Sequence, residues 1–312
     1  MIEVIPYTHD RAIEWNTFNI SARNGHFLFD RAFMEYHADR YVDSSLLVFS
    51  DNELVALLPG NRVGSDVVSH GGLTFGGLVL SERATAPRVI AILQEIMTYW
   101  RRCGVSGLTY KAVPHIYHRR PTEEDLYALT RLGARLVRRD LTTTIDLRAP
   151  GRRGSRRVRG ARTARRAGLQ VGRSERWSDY WALLHATLEE RHGVAPTHSL
   201  DEIVRLADLF PDNIRLFVAE EAGVVVAGTV IFETQTVAHA QYIATGLRGR
   251  ETGALDLVFE ETIARYVSEK RFFDFGISTT DAGRVLNEGL VCQKEEFGGS
   301  SVVHDVYRLD LI

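Results

Sequence analysis

The chain repeats itself over a long interval. "SLLVFSDNELVALLPGNRV", two apolar runs around Asp51-Asn52, reads as a hairpin; "IRLFVAEEAGVVVAGTVIFE", turning near Glu221–Gly223, reads as a second one about 170 residues later. The closing segments also match. "LGARLVRRDLTTTIDL" and "FGGSSVVHDVYRLDL" set Gly133 before Asp140 and Gly298 before Asp305, each pair seven residues apart and the two pairs offset by 165. That distance is far beyond the period of a stacked solenoid, so it implies two copies of one domain.

Each copy mixes strands and helices. In the first, a strand at Ile2–Pro6 and helical text through Arg40 precede the hairpin. A helix over Arg83–Cys103 follows, with Val89, Ile92, Leu93, Ile96, Met97 and Trp100 on one face. The strand "GLTYKAV", a helix ending at Gly133 and a long strand to Leu147 complete it. In the second, the strands "TVAHAQYIAT" and "RFFDFGIS" flank a helix over Leu255–Lys270, where Leu255, Val258, Phe259, Thr262, Ile263, Tyr266 and Val267 form a stripe. A short helix, "NEGLVCQKEEFG", comes next. The expected class is α/β, with α+β mixed sheets, in two tandem domains at 1–150 and 151–312.

Composition narrows the function classes. A net charge of −2 supplies no whole-protein field for nucleic acid or a membrane, and no DNA partner is expected. No apolar run is long enough to span a bilayer. "MIEVIPYTHDRAIEW" has neither the basic nor the apolar region of a signal peptide, so a soluble cytoplasmic protein is expected. Cys103 and Cys292 are the only cysteines, too few for a disulfide framework and not at metal-ligand spacing. Lysine is rare: Lys111, Lys270 and Lys294 stand against 35 arginines, ten of them between Arg148 and Arg173. That stretch is either a solvated linker with a polar helix or a strip that grips phosphates through Arg156, Arg157, Arg165 and Arg166.

Several residues are placed for chemistry. Lys294 shares a helix face with Leu290 and Phe297. Its stem either snorkels, or its ammonium faces a substrate cleft and stabilises the charge that develops when an amine attacks an ester carbonyl. In "AHAQYIAT", strand alternation sets His239 and Gln241 side by side; the imidazole is a structural donor or a base for the incoming amine. Arg191, His192 and His198 cluster in "LEERHGVAPTHS". Without a second carboxylate or a cysteine at ligand spacing no metal is expected there. They answer a helix C-terminus or recognise an acidic acceptor. "HGGLTFGGLVL" crowds four glycines between Gly71 and Gly77, as a tight loop or a close ligand approach requires. Tyr110 and Lys111 can join it. Asp274, between aromatics in "FDFG", needs a partner if buried, and is structural or holds a substrate amine.

Strand, hairpin, strand, helix, strand, helix and terminal strands is the order of the GNAT acyltransferase fold. Two such units in tandem resemble its FemAB-like branch, which includes aminoacyl-tRNA-dependent transferases that build peptidoglycan cross-bridges. The resemblance covers nearly the whole chain and is carried by "FDFGIS…GRVLNEGLVCQKEEFGG", "GGLTFGGLVL" and "ARTARRAGLQV". It implies that Lys294 is a functional lysine and that Gly72, Thr74, Phe75 and Gly76, with Lys111, line the acceptor cleft. Proteins similar in "ERHG…PTHS", "AHAQYIA" and "LNEGL…QKE" are often labelled GNAT acetyltransferases of surface-polysaccharide loci. Acetyl-CoA users of this fold cradle pyrophosphate in a loop of type Q/R-x-x-G-x-G/A. Here Arg250 and Gly253 fit, but Leu255 stands where a small residue is expected. The resemblance implies an N-acyltransferase with no bound cofactor, its donor aminoacyl-tRNA or acyl-CoA. We favour aminoacyl-tRNA, with an amine of a cell-envelope precursor as acceptor. The alternatives are an acetyl-CoA-dependent aminosugar N-acetyltransferase and a non-catalytic RNA-binding module.

Overall fold

A computed structural model describes residues 1–311, the side chain of His192 excepted. Its elements run in order β1 (Ile2–Pro6), α1 (Ala12–Ser21), α2 (Arg31–Glu35), β2 (Val42–Asp43), β3 (Leu46–Ser50), β4 (Glu53–Leu58), β5 (Asn61–Val63), β6 (Asp66–Val68), β7 (Val79–Leu80), α3 (Ala86–Arg102), β8 (Gly107–Lys111), α4 (Glu124–Arg131) and β9 (Arg135–Asp146). There follow α5 (Ser155–Arg166), β10 (Gln170–Ser174), α6 (Trp177–His192), α7 (Leu200–Leu209), β11 (Ile214–Glu221), β12 (Val224–Glu233), β13 (Val237–Thr245), α8 (Leu247–Thr252), α9 (Ala254–Tyr266), β14 (Phe272–Ile277), β15 (Thr279–Thr280), β16 (Val285–Leu286), α10 (Glu288–Glu295) and β17 (Ser300–Asp310).

Two compact units result. Unit 1 is Met1–Asp140 with Thr280–Val285 and the chain from Val303; unit 2 is Leu141–Thr279 with Leu286–Val302. These differ from the contiguous halves 1–150 and 151–312 in two respects: Thr280–Val285 belongs to unit 1, and the closing segments are divided. The two closing segments, matched in sequence, are the long strands β9 and β17, and each has one end in either unit.

The repeat is visible in backbone detail. In unit 1, β3 and β4 pair antiparallel across a turn in which Asp51 and Asn52 have φ of 52° and 66°. In unit 2, β11 and β12 do the same across Ala222 and Gly223, at 49° and 79°. Such left-handed two-residue turns match the twist of a hairpin. Each hairpin also carries a register shift near its turn, at Val48/Phe49 and at Ala219/Glu220. Each unit has a parallel pair joined through a crossover helix: β6 with β8 through α3, and β13 with β14 through α9.

The crossover helices hold the cores. α3 begins at Ala86 rather than Arg83, with a proline in its first turn, and buries all six residues of its expected face. Each such side chain contributes about 1.5–3 kcal/mol. α9 is shorter than expected: it ends at Tyr266, and Val267 is 55% exposed instead of completing the stripe. Its Phe259 packs with Phe273, Phe275 and Phe297 in the core of unit 2. The helical text before Arg40 breaks into α1 and α2, because Ala22 is extended and Asp30 caps a new start by accepting from the Ala32 N–H. Among the described residues no helix is long and apolar enough to cross a membrane.

Candidate functional site

The parallel strands β13 and β14 are paired only over Val237–His239 and Phe272–Asp274, and then part. Two backbone irregularities accompany the parting. β13 bulges, with Val230 opposite Tyr242 and Ile231 opposite Ala240, which leaves Gln241 as the extra residue. In β14, Gly276 adopts a φ of 74°, and the register with β9 shifts between Asp274 and Ile277.

His239 and Asp274 form the last pair before the strands separate. Asp274 is fully buried. Its Oδ1 accepts from Thr142 Oγ1 (2.5 Å) and Thr144 Oγ1 (2.7 Å). Its Oδ2 lies 2.7 Å from His239 Nδ1 and accepts from the Gly276 N–H at 3.3 Å. These donors offset the cost of removing a carboxylate from water. With Nδ1–H donated to the carboxylate, Nε2 of His239 is the basic nitrogen. The imidazole is 12% exposed. An oriented imidazole beside a buried carboxylate can accept a proton and pass it on.

Lys294 departs from both expected readings. It is buried, and its Nζ donates to the carbonyls of Gly276 (2.8 Å) and Ile277 (2.9 Å) and to Ser278 Oγ (2.8 Å). All three ammonium protons thereby hold the end of β14. Burial pulls its pKa down to about 8, against the attraction of Asp274. It neither snorkels nor presents its ammonium to a substrate oxyanion; it ties α10 to the turn that supports Asp274.

Arg191, His192 and His198 are not brought together as one acceptor site. Arg191 is exposed and lines a cavity, whereas His198 is buried with Nδ1 2.5 Å from the Tyr242 hydroxyl on β13. Burial pushes Tyr242 up to about 12. The side chain of His192 lies outside the described residues.

That cavity, of about 530 Å³, is lined by Arg156, Arg159, Arg191, Arg250, Thr245 and Leu255 among others. It contains the loop expected to cradle pyrophosphate, but α5 crosses the start of α9: a Cβ on Gly253 would stand 2.7 Å from the Gly160 carbonyl oxygen. Asp256, in the first turn of α9, already pairs with Arg157 at 2.6 Å. The four strip arginines therefore divide. Arg157 is buried on Asp256 and Glu296 (2.7 Å), and the half-exposed Arg165 pairs with Glu260 (2.6 Å) and Glu261 (2.5 Å). Arg156 and Arg166 are exposed.

The unit 1 candidates are bound up in packing. Lys111 donates from Nζ to the carbonyls of His70 (3.0 Å) and Leu73, and burial lowers its pKa to about 8. A Cβ on Gly72 would meet His37 Nε2 at 2.1 Å, and one on Gly76 the Ser69 carbonyl at 1.9 Å. Phe75 is a core ring against His26 and Tyr117, not a cleft residue; Thr74 is exposed. Among the described residues no cluster of histidine, cysteine and carboxylate side chains could hold a metal.

Sequence reasoning missed Thr142 and Thr144, whose spacing of two in "LTTTID" puts both hydroxyls on one strand face. Arg159 was also overlooked; helical phase relative to Arg156 was its only signal.

Residues 148–282 match the family of the acetyltransferase (GNAT) domain. No curated protein sequence matches the chain. FemX has a similar structure, with a TM-score of 0.68 at 14% identity over 97% of this chain and 96% of that one. The C-terminal domain (DUF2156) of a putative lysylphosphatidylglycerol synthetase from Agrobacterium fabrum scores 0.62 at 12% identity, over 97% and 92%. A tandem GNAT protein from the clavulanic acid biosynthesis pathway scores 0.55 at 12% identity, over 100% and 99%. Residues 148–282 therefore carry a GNAT-type domain, and the chain shares the fold of these three structures. The domain match supports acyl transfer in general for that segment.

Proposed function

We propose that the chain is an N-acyltransferase whose reaction centre is the His239–Asp274 pair. The observation that carries this is the position of the pair, at the last bonded residues before β13 and β14 part, with the imidazole 12% exposed. The acceptor amine enters neutral. As its nitrogen bonds the donor's acyl carbon it gives a proton to His239 Nε2. The imidazolium, balanced by Asp274, returns that proton to the leaving oxygen as the ester C–O bond breaks. One C–N bond forms, one C–O bond is lost, and His239 ends neutral. Lys294 acts here as a positioning residue: it fixes Gly276, whose N–H holds Asp274.

The donor we favour is aminoacyl-tRNA. The cavity is rich in arginine. Leu255 stands in its lining where a small residue would let a coenzyme pyrophosphate approach backbone N–H groups, and α5 packs closely on Gly253. The envelope-precursor acceptor rests on the motif resemblance around Asp274 and Lys294. A second reading, an acetyl-CoA-dependent aminosugar N-acetyltransferase, is favoured by the acetyltransferase domain match at 148–282.

The test supplies alanyl-tRNA, glycyl-tRNA or acetyl-CoA as donor, with a lysine-containing peptide or glucosamine as acceptor. Turnover with aminoacyl-tRNA that falls roughly 10²–10⁴-fold in His239→Ala supports the first reading. Turnover with acetyl-CoA alone installs the second. RNA affinity without turnover from any donor would leave only the binding module.

A further inference from the structure

Helix α5 carries arginine on every side, and the structure sorts these residues by face. Inward, Arg157 meets Asp256 and Glu296, while Ala161 and Ala164 enter the core. Arg165, with Arg153 of the preceding linker, is neutralised by Glu260 and Glu261. Arg156, Arg159, Arg162 and Arg166 remain, and Arg156 lines the cavity. The last three follow i, i+3 and i+7, so they share one exposed face over about 10 Å of helix axis. Among the described residues none of the three is in an ion pair.

Like charges at i, i+3 and i, i+4 repel. Some exposed arginines are relieved by carboxylates, as Arg139 by Asp305, Arg176 by Asp179 and Arg248 by Glu221, while others among the described residues, such as Arg102 and Arg131, are single. The α5 stripe lacks that relief, and its Arg159 also lines the cavity with Arg156, Arg191 and Arg250.

We propose that Arg159, Arg162 and Arg166 form a phosphodiester track that leads an RNA strand into this cavity. The inference rests on the tRNA donor reading above and specifies how that donor is held. A compact coenzyme could be satisfied inside the cavity and would have no use for Arg162 or Arg166. An anionic membrane surface fits less well, because the stripe offers no large apolar side chain to insert.

The test uses the full chain and bulk tRNA, with affinity followed against salt. Arg162→Ser/Arg166→Ser should weaken binding roughly tenfold and reduce the slope of log K against log salt by about 1.5. Arg153→Ser/Arg165→Ser removes the same formal charge from already neutralised positions and should change neither quantity. Equal loss in both double variants would reduce the effect to net charge and overturn the track. So would unchanged affinity in the first double variant, or no tRNA binding by the wild type. Binding to phosphatidylglycerol vesicles that needs Arg162 and Arg166 while tRNA binding does not would hand the stripe to a membrane instead. His239→Ala separates the two levels. If it abolishes transfer while the track variants bind tRNA normally, only the track fails. If the track holds and no donor turns over in the wild type, only the catalytic reading fails.

Discussion

Both units end a strand on a turn held by lysine, yet the surroundings of the two turns differ. In unit 1, Lys111 closes β8 and donates to the carbonyls of His70 and Leu73. In unit 2, Lys294 donates to Gly276, Ile277 and Ser278. A compact ammonium with three converging donors suits carbonyls this close together, and a planar guanidinium does not, which accounts for lysine at these points in an arginine-rich chain. Beside Lys111 the neighbouring polar groups are locked together: Tyr110 donates to Asp125, and the Leu78 N–H donates to Tyr110 at 2.7 Å. Beside Lys294, the strands part next to an oriented imidazole. The same fastening device serves a packed interior in one unit and a candidate reaction centre in the other. What lies next to the lysine decides, not the lysine.

The largest expected difference between the units is in acid. Burial holds His26 and His70 at about 3 and His118 at about 4. Arg119 and His118 face His26; His37, Lys111, Arg31 and Asp43 face His70; His115, Arg23 and Glu124 face His118. Above pH 6.5 these imidazoles are neutral in both folded and unfolded chains and contribute no pH dependence. Below it the unfolded chain takes up protons that the folded unit refuses, so stability falls with pH until the folded values are reached. At about pH 5 each contributes a loss of about 2 kcal/mol. The Asp125 carboxyl of the same unit, raised by burial to about 6, offsets about 1 kcal/mol of the total. About 5 kcal/mol is left in all, at the low end of a domain's stability. Hydrogen exchange should show unit 1 amides losing protection between about pH 6 and 5 while unit 2 remains closed. Simultaneous opening of both units only below about pH 4 would erase this difference.

Next in size is the loss of turnover on breaking the pair. Asp274→Asn keeps the side-chain volume but cannot balance an imidazolium, and kcat should fall roughly 10²–10⁴-fold, as for His239→Ala. Asp125→Asn in unit 1, where burial raises the carboxyl to about 6, should leave kcat unchanged and alter only the melting temperature. Equal losses of activity at Asp125 and Asp274 would sink the assignment of chemistry to unit 2.

Much of this architecture is written in short-range sequence. Asp51-Asn52 and Glu221–Gly223 are turn signals, and α3 shows its buried face directly. The site is written at long range. His239 and Asp274 are 35 residues apart and meet through a parallel register that no local pattern encodes. Thr142 and Thr144 reach Asp274 from 132 and 130 residues away. Periodicity turns Lys294 inward but cannot name the carbonyls it meets. Helical phase separates Arg157 from Arg159, and only the position of α9 shows which of the two is already neutralised.

Replacing the lysines comes third. Lys111→Met and Lys294→Met each leave buried carbonyls without donors, which costs about 1–3 kcal/mol and should appear as a comparable fall in melting temperature for both. Only Lys294→Met should also shift the pH–rate profile, because Gly276 links that ammonium to Asp274 and His239. Lys→Arg at either position should restore neither stability nor profile. Equal pH–rate profiles for the wild type and Lys294→Met would confine Lys294 to a structural tie.

The smallest effect belongs to the rim of α9. Arg153 and Arg165 pair with Glu260 and Glu261, but their side chains are 47% and 46% exposed. Ion pairs this wet are worth about 0–1 kcal/mol, and salt screens them. Arg153→Ser/Arg165→Ser should therefore lower stability by less than about 1 kcal/mol at low salt and by nothing measurable at high salt. A larger, salt-insensitive loss would mean that the two arginines brace the packing of α5 on α9. Their variant would then disturb the geometry of Arg159, Arg162 and Arg166 as well as the charge, and a charge-matched control for the track would have to come from another arginine already paired with a carboxylate, such as Arg248.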